Sequence, residues 1–266
     1  MLKQKVKTVR ALERGLDVLM EVQSSSGTSL NELHQKLGLP KPTLLRMLVT
    51  LSKSGLVWQR IADGTYHASA VSLARPKADL TSEIAEIASP FMEELGHQVH
   101  LPSAIAVPRF DHMTIVETNS PLVQLQAAML GPVGTKLSYI HTATGRAYLA
   151  HCDGDERDTL IERLRPANAG GEEEQALRHI LDEVSSRGYS LRDPAHSWFD
   201  RNKQTVLRDG RRSMAVAVRL HGKPVASLNI TCPTRDGEGD EAVLCHLDLL
   251  RRTAAGIGRA LERLHA

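Results

Sequence analysis

Apolar residues in the first quarter of the chain recur at helical spacing in three short blocks and then change to alternation. Val9, Leu12, Leu16 and Leu19 recur every three or four positions, with Arg10, Glu13, Arg14, Asp17 and Glu21 off that stripe. The pattern predicts an amphipathic helix from a Thr8 cap to about residue 22, packed through that stripe on the next two helices. Ser24-Ser25-Ser26-Gly27 breaks it with polar turn residues. Ser29 and Glu32 then fit an S-x-x-E capping box, where each side chain satisfies a backbone N–H of the other's turn. Leu30, Leu33 and Leu37 give this second helix one apolar face, and Gly38 supplies a turn. Pro40 and Pro42 fall at the start of a third helix, where the N–H groups lack intrahelical partners anyway.

The third helix, to about residue 54, divides into two faces. Leu44, Leu48 and Leu51 form an inward stripe, while Thr43, Arg46, Thr50 and Lys53 lie on another side. Gly55 suits the position just past the helix end. Residues 56–58 and 65–67 flank Ala62-Asp63-Gly64, and Asp-Gly is a strong hairpin signal. Three helices, a short turn and a two-stranded ribbon are the layout of a winged helix-turn-helix, a DNA-reading module. On that reading Lys41, Thr43 and Arg46 reach base edges or flanking phosphates, Thr50 and Lys53 extend the same face, and Arg60 on the wing contacts phosphate. Taken alone, the helix also fits an ordinary amphipathic segment with a solvated polar face.

Pro76 within Ala74-Arg75-Pro76-Lys77 marks a boundary. Residues 80–96 return to helical periodicity through Ile84, Ile87, Ala88, Phe91 and Leu95, and Pro90 predicts a kink or a break. Such a helix either carries dimer contacts or is the first helix of the body. Beyond it, residues 104–107 and 114–117 read as a hairpin, and 122–129 as a strand. Helices come next around 143–151, 156–164 and 173–187, then a hairpin of 214–220 with 225–231, then a closing helix over 241–264. The expected fold is multi-domain α+β: a winged helix-turn-helix at 1–75, a linker helix at 76–98, and at 99–266 an antiparallel sheet flanked by helices.

Charge strengthens the DNA reading. Residues 1–75 carry 11 Lys and Arg against 5 Asp and Glu, whereas the remainder carries 22 against 26. A basic segment on a mildly acidic body is the electrostatic footprint of a DNA-binding head. Aromatic content of 3% argues against a single-strand stacking platform. Cys152, Cys232 and Cys245 are few and widely spaced, which points to free thiols in a reducing compartment, the cytoplasm by default. No apolar run is long enough to span a bilayer, so no membrane is expected as a partner.

The body shows no G-x-S-x-G, H-E-x-x-H, P-loop or G-x-G-x-x-G after a strand, so no catalytic residue, metal or cofactor is assigned. The most suggestive body stretch is 138–147, where a strand meets the start of a helix through small residues. A small carboxylate would be held by free N–H groups there, and a tight connection without ligand fits equally.

The chain as a whole resembles the IclR family of bacterial transcriptional regulators. LGLPKPTLLRML at 37–48 stands at the family's recognition helix, and HTATGRAYLA at 141–150, RGYSL at 187–191 and MAVAVRLHGKPVASLNI at 214–230 look like hallmarks of its effector domain. The resemblance implies a GAF-like effector domain and a homodimer or dimer of dimers on inverted-repeat operator DNA. RNA polymerase is a further partner if the output is activation. It also implies an effector pocket over the sheet, with Ala143 and Thr144 at the helix start, Ser213 before one strand, and Asn229 and Thr231 on the next. Asn229 and Thr231 alternate onto one face, as two pocket residues must. Met129, Met214 and Leu228 are expected as apolar neighbours.

One departure from the family pattern is a long basic segment, 192–212, with Trp198, Arg201, Lys203, Arg208, Arg211 and Arg212 where an acidic pair is common. With few apolar anchors, that segment is expected to be mobile. The overall look is closest to regulators of aromatic-acid catabolism. The sequence therefore points to a ligand-responsive regulator of a catabolic operon that senses a small organic acid, with an aromatic carboxylate as the class in view. The competing readings are a DNA-binding head fused to a small-molecule-processing enzyme domain, and a constitutive DNA-binding protein whose body only oligomerises.

Overall fold

The computed structural model describes residues 9–69, 79–120, 131–165, 171–192, 211–233 and 240–265. The chain divides into two compact units, separated in sequence between Asp79 and Leu80. The Thr8 cap, the 74–77 boundary, the 122–129 strand, Met129 and most of the basic segment lie outside the described residues.

In the first unit, helices α1 (Arg10–Ser24), α2 (Leu30–Leu37) and α3 (Lys41–Lys53) precede strands β1 (Val57–Gln59) and β2 (Tyr66–Ala68). The capping box forms: Ser29 N–H donates to Glu32 Oε2 at 2.7 Å, and Glu32 N–H to Ser29 Oγ at 3.2 Å. Gly38 ends α2 in the left-handed conformation at φ 64°, which turns the chain into α3. Val18, Val22, Leu33, Leu44, Leu48, Val57 and Tyr66 form the core of this unit.

The periodicity of α1 misassigns its buried side. Val18 and Val22 are the buried residues and Leu19 packs beside them, whereas Val9, Leu12, Leu16 and Met20 are exposed. The helix carries two apolar faces about half a turn apart, and only the Val18 face meets α2 and α3. Leu12 and Leu16 thus form an uncovered stripe with Val9 and Met20.

The wing is held at its base by a stacked pair. Trp58 and His67 are cross-strand partners, with ring centroids 5.1 Å apart, and Thr65 Oγ1 lies 2.9 Å from His67 Nε2. A Cβ on Gly27 would stand 2.5 Å from the His67 ring, so the loop before α2 closes on the wing only with glycine there.

The second unit is a six-stranded, wholly antiparallel sheet in the order β5-β4-β3-β8-β7-β6. Its strands are β3 (Ser103–Pro108), β4 (Met113–Thr118), β5 (Lys136–Leu137), β6 (Ser190–Leu191), β7 (Arg211–Leu220) and β8 (Lys223–Pro233). The helices are α4 (Leu80–Val99), α5 (Ala143–Leu149), α6 (Gly154–Leu164), α7 (Gly171–Arg187), α8 (Glu241–Leu244) and α9 (Leu247–Leu264). The α+β class expected from the sequence is therefore the fold observed.

Helix α4 packs on β3, β4 and α9, so the segment read as a connector belongs to the body. It stays one helix through Pro90. Buried Glu83 near its start accepts from His265 at 2.8 Å, and buried Asn119 accepts from Ser103 N–H at 2.6 Å while donating to Met92 carbonyl at 3.3 Å. These bonds tie α4 to the end of α9 and to the sheet, and they satisfy polar groups that are costly to bury alone. The closing helix is two pieces, α8 and α9, joined at Cys245 and His246, and nothing in the local sequence marks that joint.

Burial beside Arg60 pushes the His67 pKa down to about 4. The folded head therefore favours the neutral ring, and this contribution is present above the ordinary histidine value near 6.5 and lost as pH falls toward about 4. Thermal unfolding followed by circular dichroism from pH 7 to pH 4 is expected to show a steeper loss in the wild type than in His67→Gln.

Candidate functional site

Helix α3 presents its polar side outward. Leu44 and Leu48 are fully buried, while Lys41, Arg46, Thr50 and Lys53 are exposed and Thr43 is half-buried at the edge of that face. The structure thus brings Lys41, Arg46 and Lys53 onto one open surface of a helix preceded by a tight turn, the geometry of a groove-entering helix. Thr50 Oγ1 donates to Arg46 carbonyl at 2.8 Å, which commits its hydroxyl proton inside the helix. Arg60 is half-buried: its guanidinium lies 5.9 Å from the Trp58 ring centroid and 3.7 Å from the Asp63 carboxylate. Those partners hold the wing cation in place, and they also draw part of its charge inward.

Sequence reading assigned this face to polar residues alone. In the structure Leu45 and Val49 are 45% and 46% exposed among them, one position on from Leu44 and Leu48. Splitting the helix into one apolar and one polar stripe concealed them, because leucine and valine were assigned to the inner side by type.

In the body, the residues singled out around the helix start and the β7–β8 hairpin converge. Ser213 lies within β7 and pairs with Thr231, and Ala215 pairs with Asn229, which itself pairs with Ala104 of β3. Directly paired residues share a face and alternate residues return to it. One face of the central strands is therefore built from Ala104, Ser213, Ala215, Ser227, Asn229 and Thr231. Ala215 clusters with Ala143 and Ala147 of α5, which identifies this as the α5 side. Every side chain on that floor is small or polar, so the strands and α5 cannot fill the space between them as leucines would.

Each polar group on the floor has a definite state. Ser213 Oγ and Thr231 Oγ1 are 2.7 Å apart and satisfy one another. Asn229 Oδ1 accepts from Ala104 N–H at 3.0 Å, which leaves the side-chain NH₂ as the group facing new partners. Ser227, two residues from Asn229 on the same face, has a buried hydroxyl with no hydrogen-bond partner. Sequence reading passed over it, although the same alternation that selected Asn229 and Thr231 includes it.

The same register corrects one candidate. Met214 pairs with Ile230 and, adjacent to Ser213, must point to the opposite face, where α4 and α9 pack. Met214 and Leu228 are fully buried there and cannot join Ser213 and Asn229 on the floor.

The start of α5 is built from backbone contacts. Thr142 Oγ1 donates to Ser138 carbonyl at 2.7 Å and accepts from Gly145 N–H at 3.0 Å. A Cβ on Gly145 would lie 2.3 Å from Tyr139 Cα, so only glycine lets the helix start lie this close to the preceding turn. Buried Arg146 donates from Nε to Ile140 carbonyl at 2.6 Å and braces the same turn. Ala143 and Thr144 are consequently buried at the first turn of a helix whose leading N–H groups have no intrahelical partner. Among the described residues no three His, Cys, Asp or Glu side chains converge as a metal site requires, and no helix is long and apolar enough to cross a membrane.

Comparison with known proteins gives this pair of sites a family. The IclR helix-turn-helix domain matches residues 11–60, and the bacterial transcriptional regulator IclR C-terminal domain matches residues 80–259. The chain is 27% identical over 223 residues to the acetate operon repressor of Salmonella typhimurium, and 27% identical over 223 residues to the transcriptional repressor IclR of Escherichia coli, with 80% of each chain covered in both cases. Among solved structures, an IclR homolog from Microbacterium hydrocarbonoxydans complexed with 4-hydroxybenzoate shares the fold with a TM-score of 0.54 and 20% identity, over 95% of this chain and 99% of that one. A basic, groove-sized helix face in one unit and a small-lined floor in the other are thus the two ends of a DNA-binding transcriptional regulator, and the chain belongs to the IclR family.

Proposed function

We propose that this regulator is ligand-responsive: the head reads an inverted-repeat operator as a homodimer or dimer of dimers, and the body binds a small organic acid that biases this reading. The observation that carries the sensing half is the floor of Ser213, Asn229 and Thr231 beneath Ala143 and Thr144. Its available groups suit a carboxylate. The Asn229 NH₂ donates, the Ser213 and Thr231 hydroxyls exchange their mutual bond for one to a ligand, and the first N–H groups of α5 add partial positive charge. The 4-hydroxybenzoate held by the Microbacterium homolog supports an aromatic carboxylate as the class to try first, with control of a catabolic operon as the setting. The basic segment 192–212 is a further source of effector contacts.

Functional bounds of 1–75 for the head, 76–98 for the connector and 99–266 for the effector domain accompany this reading. The uncovered stripe of Val9, Leu12, Leu16 and Met20 supports self-association through the heads, since a second copy would remove it from water. Both named relatives are repressors, which supports repression as the output; as an activator the protein would also touch RNA polymerase.

Two experiments test the halves separately. With duplexes selected from a random pool, Arg46→Ala is expected to lose about 1–3 kcal/mol of binding and relax preference at one position. Unchanged affinity and preference would remove Arg46 from the reading face. Calorimetric titration of the full chain with aromatic and aliphatic carboxylates is expected to find a binder that Asn229→Leu loses. Equal binding by that variant would sink the proposed pocket.

A further inference from the structure

Leu45 and Val49 are unexplained by packing within the head. They sit one turn apart on α3, each nearly half exposed, while the core of this unit is completed by Leu44 and Leu48 on the other side. Their neighbours on the outer face are Arg46, Thr50 and Lys53, cations and a hydroxyl suited to phosphates and base edges. An apolar pair inside a basic, groove-entering surface has one chemical counterpart in duplex DNA. The C5-methyl of thymine is the apolar group that a base edge offers in the major groove, and apolar side chains contact it.

We propose that Leu45 and Val49 are specificity-determining residues that read thymine methyl groups in each operator half-site. The inference rests on α3 being the groove-entering helix. The two side chains are separated by about 6 Å along the helix, as four residues at about 1.5 Å rise require. With base pairs about 3.4 Å apart, that spacing reaches two thymines roughly two steps from each other. Val49 is β-branched and already restricted at χ1, so holding it against a methyl costs little side-chain entropy. Thr50 is the weaker base reader, because its hydroxyl proton is committed to Arg46 carbonyl. Sequence choice is thereby shared between the Arg46 guanidinium and two apolar contacts that cytosine, without the methyl, cannot match.

The test uses the full-length protein and duplexes it selects from a random pool. Each thymine in the enriched half-site is replaced in turn by deoxyuridine, which removes only the methyl. Binding is expected to weaken about fourfold at one or two positions, the effect of burying one methyl-sized group. Leu45→Ala and Val49→Ala are each expected to weaken binding to the thymine duplex and to make one deoxyuridine replacement silent. Val49→Thr, which keeps the branched shape but exchanges a methyl for a hydroxyl, is expected to behave as Val49→Ala. Arg46→Ala should keep the full deoxyuridine response. Tight binding that ignores deoxyuridine everywhere overturns the proposal and leaves the DNA-reading head intact. So does a full deoxyuridine response in both alanine variants, or a change of association state in sedimentation without any deoxyuridine effect. Failure to enrich any duplex would overturn the helix assignment itself, and this inference with it.

Discussion

The body is organised by the alternation of its central hairpin. Strands β7 and β8 must present Met214, Val216, Leu228 and Ile230 to α4 and α9, and that requirement fixes every other residue on the opposite side. A slip of one residue would exchange the two faces and expose the apolar set to α5. Because the opposite side is made of Ala104, Ser213, Ala215, Ser227, Asn229 and Thr231, the hairpin closes the core on one face and leaves room on the other. Removing a polar partner from that floor would strand the other in a buried setting, at a cost of about 1–3 kcal/mol per group. The floor's chemistry and the fold's register are therefore one constraint. Gly145 completes it by letting the start of α5 approach the preceding turn.

The head is built on a different constraint. Its core is small, and its long surfaces are committed to other molecules: α1 leaves an apolar stripe uncovered, and α3 leaves a mixed basic and apolar one. Exposed apolar residues scattered singly need no explanation, but two ordered sets on a unit of this size do. One suits a second copy of the head and the other suits the major groove. Both surfaces are costly to leave in water, which makes self-association and DNA binding mutually supportive.

Much of this was legible in the sequence because the signals are local. The Ser29–Glu32 box, the Asp63-Gly64 turn and the hairpin flanking Gly222 each depend on a few adjacent residues, and each formed as read. What escaped depends on tertiary partners. Helical periodicity finds an apolar stripe on α1 but cannot choose between two, and the neighbours of Val18 made that choice. Type-based sorting hid Leu45 and Val49. Met214 was an avoidable error, since adjacent strand residues cannot both join Ser213's face. Buried Asn119 and Glu83 gave no sequence signal, as their partners are 16 and 182 residues away.

The central claim is that occupancy of the β7–β8 floor changes how strongly α3 holds DNA. Coupling between two binding sites is reciprocal, so the acid must alter the affinity for DNA by the same factor as DNA alters the affinity for the acid. The direct measurement is a pair of titrations on the full chain: a selected duplex with and without saturating acid, and the acid with and without saturating duplex. The two factors are expected to agree and to be about fivefold or more, the lower end of ordinary allosteric coupling. An acid that binds the body yet leaves duplex affinity unchanged would contradict the account.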